Sequence, residues 1–363
     1  VSAARSVLLN PGPVTLSPGV RAALTAGDWC HREPEFAALV RGLNAALAAV
    51  YSALAPGYSA ATFAGSGTAA VEGMLGAFAP DTGGTLVVAN GVYGERMARM
   101  LTALGKPHRL ASHDWLAAPV PAAIAAELDR HPEITHLAVV HHETTTGRLN
   151  DVAALGALCR ARGLTLLLDA VSSFGAEAIA GTDWNLGALA ATANKCLHGV
   201  PGLSFVVARD DLWHGPAPRP RSVYLDLRAV HAAEHADGFA PFTLPVQVAF
   251  ALRAALAEFG AGGGWEARRA AYLARARAIH AELTTHGVAT LLPVADYSAV
   301  LWSYRLPPGR DYATVHDRLK ADGFVIYAGQ GRLAADIFRI AHMGDITPED
   351  LARLAAALRR VLA

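Results

Sequence analysis

The chain contains three lysines, and one of them stands where chemistry is expected. Lys195 follows the apolar run that ends at Ala193-Asn194 and opens the turn Cys196-Leu197-His198-Gly199-Val200-Pro201-Gly202. A lysine withdrawn from water loses part of its preference for charge and becomes a nucleophile toward carbonyl carbon. A second apolar run, Leu166-Leu167-Leu168, stops at Asp169. A buried carboxylate at a strand end can hold a protonated ring nitrogen, so the two residues together point to pyridoxal phosphate. The other lysines compete poorly. Lys106 lies in the turn Gly105-Lys106-Pro107 and Lys320 near the end of a helical stretch, and both read as solvated surface charges.

Other segments fit the same chemistry. Gly65-Ser66-Gly67-Thr68 follows a strand and opens a helix, so backbone N–H groups with the Ser66 and Thr68 hydroxyls can face a phosphate. Tyr93, between Gly91 and Gly94, can lay its ring over a flat cofactor. His141 and His142 look like metal ligands, but neighbours on a strand point to opposite faces, which leaves one for the site and one for packing. Arg339 sits inside the apolar run Phe338-Arg339-Ile340, where its fork either pairs with a core acid or grips a substrate carboxylate or phosphonate.

The elements that position these residues alternate. Strands are expected at 58–63, 86–90, 136–142, 165–169, 189–193 and 204–208, with helices at 35–51, 69–78, 94–104, 122–130 and 152–162 between them. This is the pattern of an α/β fold with a mostly parallel sheet flanked by helices, whose ligands bind at the strand C-terminal ends. After a Gly/Pro-rich break at 214–220, a long helical region starts near Val246. Strands near 300–304, 324–326 and 337–340 and a terminal helix from Pro348 form a smaller α+β unit. We expect an N-terminal arm at 1–18, a large domain at 19–255 and a small domain at 256–363. At 363 residues and 53% hydrophobic, the chain is long enough for two cores. Thirty-one basic and thirty-one acidic residues leave no net charge and no stripe for nucleic acid. Cys30, Cys159 and Cys196 form no metal or disulfide spacing, which suits a reducing cytoplasm, and no run is long enough to span a membrane.

Along most of its length the sequence resembles the 2-aminoethylphosphonate–pyruvate transaminases, class V aminotransferases of PLP fold type I. The resemblance is carried by Leu9-Asn10-Pro11-Gly12-Pro13-Val14-Thr15, Gly65-Ser66-Gly67-Thr68, Asn90-Gly91-Val92-Tyr93-Gly94-Glu95-Arg96, Glu143-Thr144-Thr145-Thr146-Gly147, Asp169-Ala170-Val171-Ser172-Ser173 and Asn194-Lys195-Cys196. It implies a seven-stranded-type sheet in the large domain and a homodimer with shared active sites. Lys195 would carry the cofactor, Asp169 would face its ring nitrogen, Tyr93 would stack and Thr145 would bond near O3′. Ser66, Gly67 and Thr68 would hold the phosphate, with Thr243 reaching in from a second subunit. Arg339, Thr15 and His142 would lie at the substrate end.

Three departures from the family pattern fall near that end. His142 stands where the family has Cys, Ala328-Gly329-Gln330-Gly331 where it has Pro-Gly-Lys, and Val246-Gln247 where it has Thr-His. Two reactions therefore compete. One is transfer of the amino group of 2-aminoethylphosphonate to pyruvate; the other is ammonia release from 1-hydroxy-2-aminoethylphosphonate. A binding protein that merely keeps the fold fares worst, because Lys195 and Asp169 are both present.

Overall fold

The computed structural model describes residues 5–216 and 218–362, so the first four residues of the expected arm lie outside the described residues. Fourteen strands follow in chain order. They are β1 (Val7–Leu8), β2 (Tyr58–Gly65), β3 (Thr85–Ala89), β4 (His108–Ser112), β5 (His136–Val140), β6 (His142–Glu143) and β7 (Arg148–Leu149). The remainder are β8 (Thr165–Asp169), β9 (Leu186–Thr192), β10 (Gly202–Arg209), β11 (Leu301–Arg305), β12 (Phe324–Val325), β13 (Tyr327–Ala328) and β14 (Ile337–Ala341).

Seven strands form one sheet in the order β2-β10-β9-β8-β5-β3-β4. Strands β4, β3, β5, β8 and β9 run parallel; helices join β3 to β4, β4 to β5 and β5 to β8, whereas β8 reaches β9 through turns and the short 3-10 segment Thr182–Trp184. Strand β10 is antiparallel to both β9 and β2, because the connection from β9 is a turn too short for a crossover. That turn carries Lys195. The central strands are buried along their whole length, as a sheet covered on both faces requires. Alternate residues serve opposite cores. Leu86, Val88, Leu137, Leu166 and Leu168 share a core with Ile124, Leu128, Val152 and Leu155 from the helices Pro121–Arg130 and Val152–Arg162, while Val87, Ala138 and Leu167 meet Met74, Leu75 and Met97 from the helices Gly67–Phe78 and Val92–Ala103. Each such leucine contributes about 1.5–3 kcal/mol through burial.

The C-terminal unit places the antiparallel sheet β11-β14-β13 against the helices Gly264–Thr285, Tyr312–Ala321 and Pro348–Leu362, around Ile279, Trp302, Leu319, Phe338 and Leu358. The arm joins this unit: β1 pairs in parallel with β12, Val7 opposite Phe324. No helix among the described residues is long and apolar enough to cross a membrane.

Most expected elements lie within a few residues of their observed limits; the helix Val152–Arg162 matches because Asp151 caps its start and left-handed Gly163 its end. Several elements were not anticipated, among them the short β1 and the helices Pro18–Ala23 and Asp210–His214, and two of them show why. Strand β4 is an exposed edge strand whose polar residues hide the strand pattern, and the helix Leu227–Ala236 is rich in histidine and alanine. One expectation is corrected outright. Lys106 is buried, its ammonium donating to the Ala79 carbonyl and pairing with Asp81 at 3.3 Å, because its turn folds back onto the end of the neighbouring helix. Lys320 is exposed at a helix C-terminus, as expected.

Candidate active site

Strand β8 ends at Asp169 and the β9–β10 turn presents Lys195, so adjacent strand ends deliver the two groups to one place. Asp169 is buried, and its Oδ1 accepts from the Val171 N–H at 3.0 Å. Burial raises its pKa to about 6 against that hydrogen bond and the nearby cations Lys195 and Arg96. Lys195 is half-buried by surface, and desolvation holds its pKa below the usual lysine range, although Tyr93, Cys196 and Asp169 pull the other way. Its amine donates to the Pro11 carbonyl of the arm. Gly12 makes that approach possible: it takes φ +101°, and a Cβ there would stand 2.9 Å from Lys195 Cδ. A surface lysine is excluded by this packing.

Tyr93, Gly67, Thr68 and Arg96 line the same cleft as Asp169. Ser66 caps the helix Gly67–Phe78, accepting from the Ala69 N–H at 3.4 Å. Arg96, which the sequence reading passed over, lies 4.7 Å over the Tyr93 ring and donates to Thr68 Oγ1 at 3.3 Å. Its position three residues after Tyr93, one turn along the same helix, was the available signal.

Glu143 is a second omission. It is fully buried, and its carboxylate accepts from Thr145 Oγ1 at 2.6 Å, Thr145 N–H at 3.2 Å and Gly94 N–H at 3.2 Å. Burial pushes its pKa up to about 7 despite these bonds. Gly91 leaves room for it, since a Cβ there would fall 2.4 Å from the Glu143 carboxyl carbon. Thr145 is thereby committed. Its hydroxyl donates to Glu143 and accepts from the Val92 N–H at 3.1 Å.

At the far end, Arg339 is fully buried in β14 without a carboxylate partner among the described residues. Its Nε donates to the Ala328 carbonyl at 2.8 Å, and its Nη1 to the Thr144 carbonyl at 2.6 Å and to Gln330 Oε1 at 3.2 Å. Tyr327 stacks on the guanidinium at 5.0 Å, and Nη2 has no partner. The segment 328–331, where the sequence departs from the family pattern, is therefore the segment that grips this arginine. His142 is buried with Nδ1 3.3 Å from the Ser172 carbonyl and Nε2 unpartnered. His141 packs edge-on against Trp184. Burial depresses both histidines to about 3, and no cluster among the described residues could hold a metal.

Two expected residues do not join the others. Thr15 closes the arm on itself, its hydroxyl accepting from the Leu8 N–H at 2.8 Å and its carbonyl from the Asp345 N–H at 2.8 Å. Thr243 is exposed, lies 3.3 Å from His31 and is not among the residues that line the cleft of Asp169 and Tyr93.

Residues 121–298 match the model of the family Aminotransferase class-V. The transaminases for 2-aminoethylphosphonate and pyruvate from Syntrophobacter fumaroxidans and Aeromonas hydrophila are 38% and 39% identical to this chain, each over 97% of it and over 95% and 94% of their own lengths. The chain belongs to their family. The solved alanine–glyoxylate aminotransferase of Nostoc sp. is 26% identical with a TM-score of 0.90, covering all of this chain and 97% of its own. The architecture is that of PLP fold type I, and the protein is a PLP-dependent aminotransferase-type enzyme. Its residues fit the cofactor. The charge that burial disfavours on Asp169 is the charge a pyridinium nitrogen would neutralise, the helix start at Ser66–Thr68 offers donors to a phosphate, and Lys195 supplies the amine.

Proposed function

We propose that the enzyme transfers the amino group of 2-aminoethylphosphonate to pyruvate, giving phosphonoacetaldehyde and alanine. The observation that carries the reading is Arg339: a buried guanidinium, unpaired by any described carboxylate, with one nitrogen left to receive an anion. With Nε and Nη1 anchored on the Ala328 and Thr144 carbonyls, the planar group aims Nη2 at a phosphonate or carboxylate oxygen, which a rotating ammonium does not. When bound, pyridoxal phosphate supplies an electron sink that acidifies the carbon bearing the substrate nitrogen. Lys195, held toward its neutral form, would take and carry the proton of that carbon. Asp169 would hold the ring nitrogen, Tyr93 would lie against the ring, and Ser66, Gly67, Thr68 and Arg96 would hold the phosphate.

In this reading the working unit is a homodimer. Val223, Tyr224 and Phe242 are exposed apolar side chains, and the Tyr224 hydroxyl donates to the Ala64 carbonyl at the edge of the phosphate cradle. A second subunit over that patch would bring Thr243 of one chain to the cradle of the other. His142, with Nε2 free, is the observation that favours a second outcome, release of ammonia from a hydroxylated aminophosphonate. Product analysis with each amine, with and without pyruvate, tests the assignment. Alanine formed only when pyruvate is present supports the transaminase; ammonia formed without any keto acid from the hydroxylated amine refutes it in favour of elimination.

A further inference from the structure

The turn that carries Lys195 contains one of two non-glycine residues with positive φ among the described residues, His198 at +63°. A β-carbon costs energy in that region, so the conformation needs support from elsewhere. Within the turn, the His198 N–H donates to the Lys195 carbonyl at 2.9 Å and the Gly199 N–H to the Ala193 carbonyl at 2.8 Å. The ring reaches out of the turn. His198 Nε2 accepts from the Gly344 N–H at 2.8 Å and meets the Tyr272 hydroxyl, while the two rings stack at 5.9 Å and 21°. Gly344 follows β14, the strand of Arg339, and Tyr272 belongs to the helix Gly264–Thr285. From that same helix Arg268 donates to the Cys196 carbonyl, and Arg275 to the carbonyls of His342, Gly344 and Ile346.

We infer that His198 is a positioning residue for Lys195, fixing the lysine turn in register with the C-terminal unit and so with the strand that carries Arg339. The backbone N–H of Gly344 can only donate, which makes the unprotonated Nε2 the required acceptor. Burial of the ring first, and then the guanidinium groups of Arg268 and Arg275 on the helix, disfavour a protonated imidazole and keep that acceptor available. The His198 ring thereby joins Arg268, which donates to the Cys196 carbonyl, in holding the amine at a fixed distance from the anion site. The inference rests on the proposed role of Lys195.

The test uses three variants of the full-length enzyme. His198→Gly relaxes the backbone but removes the acceptor; His198→Asn tolerates positive φ but carries an amide too short to reach Gly344; His198→Gln puts an amide oxygen where Nε2 stood. In the apo-enzyme, amide exchange of residues 193–202 and 340–346 should accelerate together by roughly tenfold in the Gly and Asn variants, as for loss of one hydrogen bond, and stay unchanged in the Gln variant. In the holoenzyme, kcat should fall by about 10–100-fold in Gly and Asn, with the KM of the amine little altered, the scale expected when a reacting group is misplaced from a distance. Gln should restore it to within a few-fold. Should the Gly variant fail to fold, the Asn and Gln pair decides. Parent-like exchange and kcat in Gly and Asn, or a Gln variant as impaired as they are, would overturn the inference. Borohydride reduction and peptide mass mapping of the parent enzyme address the role of Lys195 separately: an unmodified Lys195 would defeat the proposed function while leaving the exchange result readable.

Discussion

Asp169 should make the apo-enzyme less stable than it could be, and replacing it with asparagine should show by how much. Its pKa is raised from 3.8 to about 6 by burial, so the neutral form is the one the fold prefers. The sign follows: this group's contribution is fully present below 3.8 and is lost as pH rises through 6. The full shift corresponds to about 3 kcal/mol at pH 8, and about half that at pH 5 where the folded group is still mostly protonated. Asp169→Asn keeps an oxygen to accept from Val171 and removes the ionisation. Urea unfolding of the apo-proteins should therefore find the variant more stable, by about 3 kcal/mol at pH 8 and about half as much at pH 5. Adding pyridoxal phosphate should stabilise the parent more than the variant, because only the parent has a carboxylate to pair with the ring nitrogen. A variant no more stable than the parent at pH 8, or an advantage that does not change with pH, would refute this account of the site.

Three further outcomes are expected. Lys195→Ala should fold and lose nearly all turnover together with the visible absorbance of covalently held cofactor; near-normal turnover would refute the assignment. Arg339→Lys should lower kcat/KM for the phosphonate amine by roughly one to three orders of magnitude with the cofactor spectrum unchanged, because a single ammonium cannot reproduce the fork; loss of cofactor instead would mark Arg339 as a structural residue. Gly91→Ala drives a methyl to within 2.4 Å of the Glu143 carboxyl and should cost about 1–3 kcal/mol in urea unfolding, whereas a parent-like midpoint would mean the carboxylate is not held where the structure places it.

Asp169 and Lys195 were legible because chemistry at strand ends leaves a local signature, an apolar run stopped by one charged residue. Arg339 was legible for a related reason, since a guanidinium inside an apolar strand has to be satisfied. Its partners were not, because the carbonyls of Thr144 and Ala328 are backbone groups that any residue could supply. Glu143 escaped in part for the same reason: two of its bonds come from N–H groups of residues 94 and 145, and the residue-type signals that remain, the Thr145 hydroxyl and the space at Gly91, do not by themselves say that they meet a carboxylate. Thr15 and Thr145 were assigned by resemblance, and no local pattern showed that their hydroxyls meet the Leu8 N–H and Glu143. Lys106 misled because a Gly-Lys-Pro turn looks solvated until the loop that covers it is known.

The pairing of β1 with β12 has a consequence for synthesis. The arm is made before the large sheet, whose strands lie between Tyr58 and Arg209, and its partner strand is made after that sheet. Until β12 exists the Pro11 carbonyl has no fixed place from which to meet Lys195. A large sheet folded during synthesis would therefore hold its lysine without that acceptor, and the amine site would close only once β12 has followed.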